Sequence, residues 1–176
     1  MSTHFRLPSL QQTPALVMIF IAGVLGTAYF FEHVLDIHPC ALCQYQRLAW
    51  WIALGVAGIT FYLRRKTTLL LTGLTLTAVV ILAGAATAGY HVGVEQKWWE
   101  GPSSCTSSGL NDLDINALKD AIMSAPVIRC DEVAWSLFGI SMAGYNLLLA
   151  LGAAVGIGFL IRNALRRPAG AIESTN

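Results

Sequence analysis

Residues 67–90 read TTLLLTGLTLTAVVILAGAATAGY, a stretch that contains no Asp, Glu, Lys or Arg. A helix that crosses the hydrocarbon core of a bilayer needs roughly 17 to 25 mostly apolar residues, and this stretch supplies them. A helix on the surface of a soluble protein would instead carry a polar face. The stretch therefore predicts a membrane-spanning helix.

Three further stretches can span a bilayer in the same way. They cover about residues 15–31, 41–63 and 136–161, and the second carries Cys43, Gln44, Gln46 and Arg47 in its first turns. The apolar residues come in continuous runs, whereas strands of a membrane barrel alternate apolar and polar residues. We predict an all-α membrane protein, a four-transmembrane-helix bundle that forms a single domain over residues 1–176.

The overall composition agrees with a membrane protein. The chain of 176 residues is 55% hydrophobic and only 12% charged, whereas soluble domains carry about 25% charged residues. Lys and Arg total 11 and Asp and Glu total 10, and the net charge of +1 excludes a strongly basic nucleic-acid-binding protein. The expected surroundings are the lipid bilayer, and no nucleic acid is expected as a partner.

The basic residues divide unevenly between the two ends of the predicted spans. Seven lie on one side with one acid, and four lie on the other side with nine acids. Because basic residues in short connections favour the cytoplasm, we predict that both termini are cytoplasmic and that two loops, about 32–40 and 91–135, are not. The alternative for the first stretch is a cleaved signal peptide, but its apolar core is longer than such a segment usually has.

All four cysteines fall on the predicted non-cytoplasmic side of the membrane. They are Cys40, Cys43, Cys105 and Cys130. An even number of cysteines in an oxidising compartment indicates two disulfides, for which the sequence allows three connectivities, and the short spacing favours pairing of Cys40 with Cys43. The bridges are either static staples or redox-active. A bridge across so short a loop removes little chain entropy and is more often redox-active.

The start of the second span combines the short cysteine pair with a cation. Pro39 stands where helices commonly begin, which predicts that Cys40 lies in the first turn, where the helix dipole favours a thiolate. Cys43 and Arg47 follow at positions that share a helix face with Cys40. Arg47 either reaches lipid phosphate or stabilises negative charge that develops on a carbonyl oxygen of a membrane-soluble oxidant. A quinone has such an oxygen.

Metal and haem sites are the competing interpretations of these residues. Cys40 and Cys43 have the spacing of zinc ligands, and His33, His38 and His91 lie near the same predicted face. The other two cysteines do not form a second close pair, and oxidation competes with zinc for the thiols. Haem would need ligands at membrane depth, whereas the histidines lie at or beyond the span ends. We therefore expect no metal.

Taken together, these features resemble the bacterial disulfide bond formation protein B (DsbB) family, quinone reductases that reoxidise the periplasmic thiol oxidase DsbA. The resemblance covers most of the chain. It rests on the four spans, the Cys40-Ala41-Leu42-Cys43 pair that leads to Arg47, Tyr90-His91, Cys105, Cys130 and the sequence of residues 135–142. The chain departs from the family in Gln46, where Glu often precedes the arginine, and in Ala143, where many members have Pro.

The resemblance implies a function and roles for named residues. Cys40 and Cys43 would form the quinone-coupled disulfide, with Cys43 reacting with the quinone, and Cys105 with Cys130 would form the disulfide that meets a DsbA-like partner. Arg47 would contact the quinone. His91 would lie near the quinone head group, and its alternative role is to anchor a helix end at the interface. The implied location is the bacterial inner membrane, and the sequence does not distinguish ubiquinone from menaquinone.

The long second loop is expected to carry interfacial structure. Residues 111–123 have the apolar spacing of a short amphipathic helix, and residues 92–99, with Trp98 and Trp99 beside charges, suit a helix that lies on the membrane surface. Two other functions stay open. One is a vitamin K epoxide reductase-like oxidoreductase, although that family places its short cysteine pair near the last span. The other is a non-enzymatic tetraspan protein with structural disulfides.

Overall fold

The structure, a computed structural model, describes residues 10–102 and 129–166. Within these residues it contains four long helices and one short antiparallel hairpin. The helices are α1 (Thr13–His33), α2 (Ala41–Tyr62), α3 (Thr67–Glu95) and α4 (Met142–Arg166), and the hairpin strands are β1 (Ser136–Leu137) and β2 (Ile140–Ser141). The predicted all-helical architecture is confirmed.

The helices pack around α3, which contacts both α2 and α4, while α1 packs on α2. Small residues bring α2 and α3 close together. A Cβ atom built on Gly84 would lie 2.9 Å from the Cβ of Ala49, and one built on Gly73 would overlap the side chain of Thr60. The apolar core of the bundle includes Ile21, Leu70, Leu74, Ile81, Ala150 and Ile157. Close backbone approach through small residues is typical of helices that associate in membranes.

Three of the helices, α1, α3 and α4, are long and apolar enough to cross a membrane. Their outward faces carry exposed large hydrophobic side chains, among them Ile19, Val79 and Val155. Exposed apolar surface of this extent is typical of contact with lipid. The fourth predicted span corresponds to α2, whose first turns carry polar residues, and its crossing of the membrane remains a prediction.

Two predicted boundaries at the cysteine end of the bundle are wrong. The last span was expected from about Ser136, but residues 136–141 form the hairpin and α4 begins at Met142. Phe138 and Gly139 have φ values of 52° and 77°, a left-handed conformation that a helix cannot contain. The chain therefore reverses direction before α4 starts.

The predicted surface helix over residues 92–99 does not form, because α3 continues to Glu95. Lys97 then adopts a φ of 60°, which ends the helix. Trp99 folds back on α3, where its indole N–H donates to the carbonyl of Tyr90 at 3.0 Å and its ring stacks on the Tyr90 ring. The predicted amphipathic helix at 111–123 lies outside the described residues.

Candidate active site

The first cysteine caps helix α2. Cys40 is the N-cap residue, one position before the first turn in which we expected it, and Pro39 precedes the cap. The Sγ atom of Cys40 accepts a hydrogen bond from the backbone N–H of Cys43 at 3.3 Å. A side chain that accepts this bond satisfies one of the free N–H groups of the helix start and lies at the positive end of the helix dipole.

The cysteines are in two different redox states. Cys40 and Cys43 are free thiols, with their sulfur atoms 3.1 Å apart, whereas Cys130 is disulfide-bonded. Cys130 is buried and packs with Cys40, Leu42 and Val94 in one cluster. The structure therefore brings a member of the second cysteine pair against the first. Cys105 lies outside the described residues.

His91 lies beside the two thiols. Helix α3 carries its side chain into the interior, where the residue is 3% exposed. The Nε2 atom is 3.6 Å from the Sγ of Cys40, and the Nδ1 atom is 2.9 Å from the Nε2 of Gln46. A ring that is buried in this way does not anchor a helix end at the interface, which was the alternative for this residue.

These contacts favour the thiolate of Cys40. The pKa of the Cys40 thiol is lowered from its ordinary value to about 4, chiefly by the hydrogen bond from the Cys43 thiol. Hydrogen bonds from His91 and from the backbone N–H of Cys43 lower it further, while burial opposes them. A thiol with a low pKa is a good leaving group in disulfide exchange, and its reduced form is stabilised. The disulfide that it forms is correspondingly oxidising.

Arg47 does not reach out to lipid phosphate. Its guanidinium forms an ion pair with Glu32 at the end of α1 and lies 4.6 Å from the centre of the Tyr29 ring. The side chain is 11% exposed. A charge inside a bundle needs a partner, so the acid at the end of the neighbouring span was the signal that could have identified Glu32 from the sequence.

The thiols and Arg47 line a cavity of about 590 Å³. Helices α1, α2 and α4 and the end of α3 form its sides, and residues 129–135 also contribute to its lining. Its polar groups include Cys40, Cys43, Arg47 and His91. Aliphatic and aromatic side chains line most of the rest, and the aromatic ones include Phe20, Phe31, Trp50 and Trp135. A mostly apolar cavity of this size with a few convergent polar groups is typical of a site for a small organic molecule.

Sequence reasoning missed a buried hydrogen-bond network around His91. Gln46 bonds Asn146 on α4 at 2.6 Å, and Asn146 bonds the indole of Trp50 at 2.7 Å. On the other side of His91, the carboxylate of Glu95 lies 3.8 Å away and accepts a hydrogen bond from Ser141. The signal for Asn146 was an amide within a charge-free apolar stretch, since such residues commonly bond across membrane helices.

The site also has the spacing of a metal centre. One potential ligand atom each from Cys40, Cys43 and His91 lies within 4.8 Å of the other two. Two thiolates and an imidazole are a ligand set that zinc accepts. Our expectation of no metal is not tested by this geometry and remains a prediction.

Comparison with known proteins identifies the family to which the chain belongs. Residues 11–160 match the family described as "Disulfide bond formation protein DsbB". "Disulfide bond formation protein B" of Polaromonas sp. strain JS666 is 31% identical over 163 residues, which cover 87% of this chain and 92% of that protein. The protein of the same name from Albidiferax ferrireducens is 28% identical over 153 residues, or 80% and 83% of the two chains.

A third relative, "Uncharacterized protein RP370" of Rickettsia prowazekii strain Madrid E, is 32% identical over 152 residues, which cover 83% of this chain and 85% of that protein. No solved structure matches the chain. The family match covers α1, α2 and α3 completely and α4 as far as Leu160. The chain therefore belongs to the disulfide bond formation protein DsbB family and is a multi-pass membrane protein with the thiol oxidoreductase role of that family.

Proposed function

We propose that the protein reoxidises a DsbA-like thiol oxidase of the periplasm and passes the electrons through two disulfides to a membrane quinone. The observation that carries this proposal is the placement of two free thiols, Cys40 and Cys43, in an apolar cavity that also contains Arg47. Structural disulfides would not need a thiolate-stabilising environment. A thiol pair beside a cation and an apolar binding space suits electron transfer to a lipid-soluble acceptor.

The residues of the cavity fit a quinone head group. Arg47 would bind a carbonyl oxygen, His91 would lie near the head group, and the aromatic side chains of the cavity would pack against the quinone ring, since planar rings and charged donors recognise these two features. When bound, the quinone would supply a two-electron acceptor that is more oxidising than a dithiol. Ubiquinone and menaquinone differ in their ring substituents, and the charges of these residues do not select between the two.

The protein residues carry out the thiol chemistry. A thiolate of the reduced partner attacks Cys105, and the second partner thiol resolves the mixed disulfide, which leaves Cys105 and Cys130 reduced. These two then exchange with the Cys40–Cys43 disulfide, whose Cys40 sulfur is a good leaving group because its thiolate is stabilised. The packing of Cys130 in the same cluster as Cys40 supports this exchange. Reoxidation of the Cys40–Cys43 dithiol releases two electrons and two protons.

The proposal includes a location and an orientation. Helix α2 would form the fourth span, since it packs against α3 and short connections join it to α1 and to α3. The protein would lie in the bacterial inner membrane with both termini in the cytoplasm. The turn at Arg64, Arg65 and Lys66 between α2 and α3 would then be cytoplasmic, in agreement with the usual distribution of basic residues. Cys40 and Cys130 would lie at the periplasmic end.

Anaerobic turnover of the purified protein tests the proposal. A reduced DsbA-like donor and a soluble quinone are mixed with the wild type and with the variants Cys40→Ser and Cys105→Ser, and donor thiols and quinone are followed together. We expect one quinone to be reduced for each donor oxidised by the wild type, and no turnover by either variant. Each variant breaks one of the two disulfides in the electron path.

The variant Ser136→Ala is a matched control, because this exposed residue lies on the same side of the membrane and outside the cavity. It should turn over like the wild type. Folded wild-type protein that oxidises no donor with several quinones would contradict the proposal and would favour a non-enzymatic role. The family match favours this function over that of a vitamin K epoxide reductase-like enzyme. The same assay can test the substrates of such an enzyme as alternative electron acceptors.

A further inference from the structure

Three hydrogen bonds connect Trp50 to His91 through two amide side chains. The indole Nε1 of Trp50 is 2.7 Å from the Oδ1 of Asn146. The Nδ2 of Asn146 is 2.6 Å from the Oε1 of Gln46. The Nε2 of Gln46 is 2.9 Å from the Nδ1 of His91. The chain of bonds links helices α2, α4 and α3 in the interior of the bundle.

The first member fixes the direction of the whole chain. An indole N–H can only donate a hydrogen bond, so Asn146 must present its oxygen to Trp50 and its NH2 group to Gln46. Gln46 must then accept with its oxygen and present its own NH2 group to His91. Because an NH2 group can only donate, the Nδ1 atom of His91 must be the acceptor. The proton of the neutral ring is therefore on Nε2.

The opposite side of the ring leads to the same result independently. The backbone N–H of Gly144 donates to the Oγ of Ser141 at 3.1 Å, so the Ser141 hydroxyl is free to donate to Glu95. The Glu95 carboxylate, which can only accept when ionised, lies 3.8 Å from the Nε2 of His91. The Sγ of Cys40 is 3.6 Å from the same atom. Nε2 thus faces two acceptors, and a proton there can be donated to the nearer one, the Sγ of Cys40.

We propose that Trp50, Asn146 and Gln46 are positioning residues that hold the His91 proton on Nε2, so that the ring donates a hydrogen bond to the Cys40 thiolate. The inference rests on the proposed function, in which Cys40 acts as a thiolate. The same tautomer would disfavour a metal ion at Cys40, Cys43 and His91. A protonated Nε2 has no lone pair for a metal ion, so His91 can join the two thiols as a ligand only if this chain of bonds reverses.

The tautomer of the wild type is the most direct test. The full chain is labelled in the ring nitrogens of its four histidines, reduced, and studied by long-range proton–nitrogen correlation spectroscopy. The variant His91→Asn identifies the signals of this residue by their loss. We expect a protonated Nε2 and an unprotonated Nδ1. A proton on Nδ1 would overturn the proposal without the need for any variant that alters the chain of bonds.

Two substitutions then break the chain of bonds at different places. Trp50→Phe removes the first donor and keeps an aromatic ring, and Asn146→Leu removes the middle member with little change in volume. In both, Gln46 is free to turn, and we expect His91 to become a mixture of the two tautomers. The matched controls are Trp51→Phe, at a neighbouring residue that is 47% exposed, and Asn163→Leu, near the far end of α4. Both controls should keep the wild-type spectrum.

A chemical readout accompanies the spectra. The pH at which alkylation of Cys40 falls to half its plateau should rise by up to about one unit in Trp50→Phe and Asn146→Leu, since a hydrogen bond to a charged group changes an ionisation constant by roughly tenfold. The two controls should keep the wild-type pH profile. A wild-type tautomer or pH profile in either broken variant would contradict the proposal. The spectra require neither quinone nor partner, so an Nε2 proton in a protein without turnover would separate failure of the proposed function from failure of this inference.

Discussion

The apolar core and the cysteine end of the bundle are held together in different ways. In the apolar core, residues such as Ile21, Leu74 and Ile81 are almost fully buried, and close packing against small residues sets the positions of the helices. At the cysteine end, His91 and Gln46 are also buried but are joined by a directional hydrogen bond. The shapes of the side chains determine the packing of the first region, and the directions of hydrogen-bond donors and acceptors determine the arrangement of the second.

This difference predicts which changes affect stability and which affect chemistry. A side chain that is too large in the apolar core must push helices apart, which lowers the free energy of unfolding. A change of donor or acceptor at the cysteine end leaves the packing in place and alters the state of a thiol or a ring. The predictions below test that separation.

The largest effect should be the pH dependence of Cys40. Because its pKa is lowered to about 4, the thiolate is the main form at every pH above that value, and reactivity should be lost only as the pH falls through it. Between pH 5.5 and 7.5, alkylation of an ordinary thiol of pKa about 8.5 rises by about a hundredfold. Alkylation of Cys40 should be nearly constant over the same range.

The measurement uses a chain in which Cys40 is the only thiol. Cys105 and Cys130 are replaced by Ser, and Cys43→Ser is compared with Cys43→Ala. The serine hydroxyl still donates to Cys40 and should keep the flat profile, whereas the alanine removes the largest stabilising contact and should move the profile to higher pH. A profile for the serine variant that matches unfolded protein would show that the cysteine end does not stabilise a thiolate.

An intermediate effect is expected at Arg47. In Arg47→Ala, quinone reduction should fall by about ten- to a hundredfold, since removal of one group that stabilises developing charge has effects of this order or larger. Thiol exchange with the donor should stay unchanged. Stopped-flow measurements of the two half-reactions separate these steps, and the control Arg64→Ala removes a cation that lies over the Phe61 ring beyond the other end of α2. An unchanged quinone step would remove the proposed role of Arg47.

The smallest effect on the site, and a clear one on stability, is expected at Gly73. A Cβ atom there would lie 2.1 Å from the Oγ1 and 2.9 Å from the Cβ of Thr60, so Gly73→Ala should lower the free energy of unfolding by about 1–3 kcal/mol. The pH profile of Cys40 should not change. In the same helix, a Cβ atom on Gly89 meets only Leu147, at 3.9 Å.

Gly89→Ala should therefore be neutral or stabilising by up to about 1 kcal/mol, because alanine favours a helix more than glycine does. Unfolding of both variants in mixed micelles with increasing denaturing detergent measures the difference. Equal stability of the two variants would contradict the account of the apolar core.

Much of the apolar core could be predicted from the sequence. Hydropathy alone locates the four helices to within a few residues at most ends, because a run of apolar residues has few other structures in a membrane. The start of α4 could not be predicted, because Phe138 has a left-handed conformation that phenylalanine rarely adopts. The extension of α3 past His91 could not be predicted either, because the added residues include the charged Glu95, which does not belong to an apolar run.

The cysteine end was predictable only in part. Cys40, Cys43 and Arg47 belong to one helix and its N-cap, so their spacing in the sequence predicts that they share a face. All three line the cavity. The bonds from Gln46 to His91 and to Asn146 depend on how three helices rotate against each other, which no local pattern determines. Sequence reasoning therefore found the two sulfur atoms that line the cavity and missed the groups that are hydrogen-bonded to the histidine beside them.

A single-turnover reaction tests most directly whether the Cys40–Cys43 pair delivers electrons to quinone. The variant with Cys105→Ser and Cys130→Ser is reduced, freed of reductant and mixed anaerobically with one equivalent of quinone, and quinone absorbance and protein mass are followed. The account predicts that one quinone is reduced per protein while the protein loses two hydrogens and forms the Cys40–Cys43 disulfide. Unreacted quinone beside two persisting thiols in folded protein would contradict it.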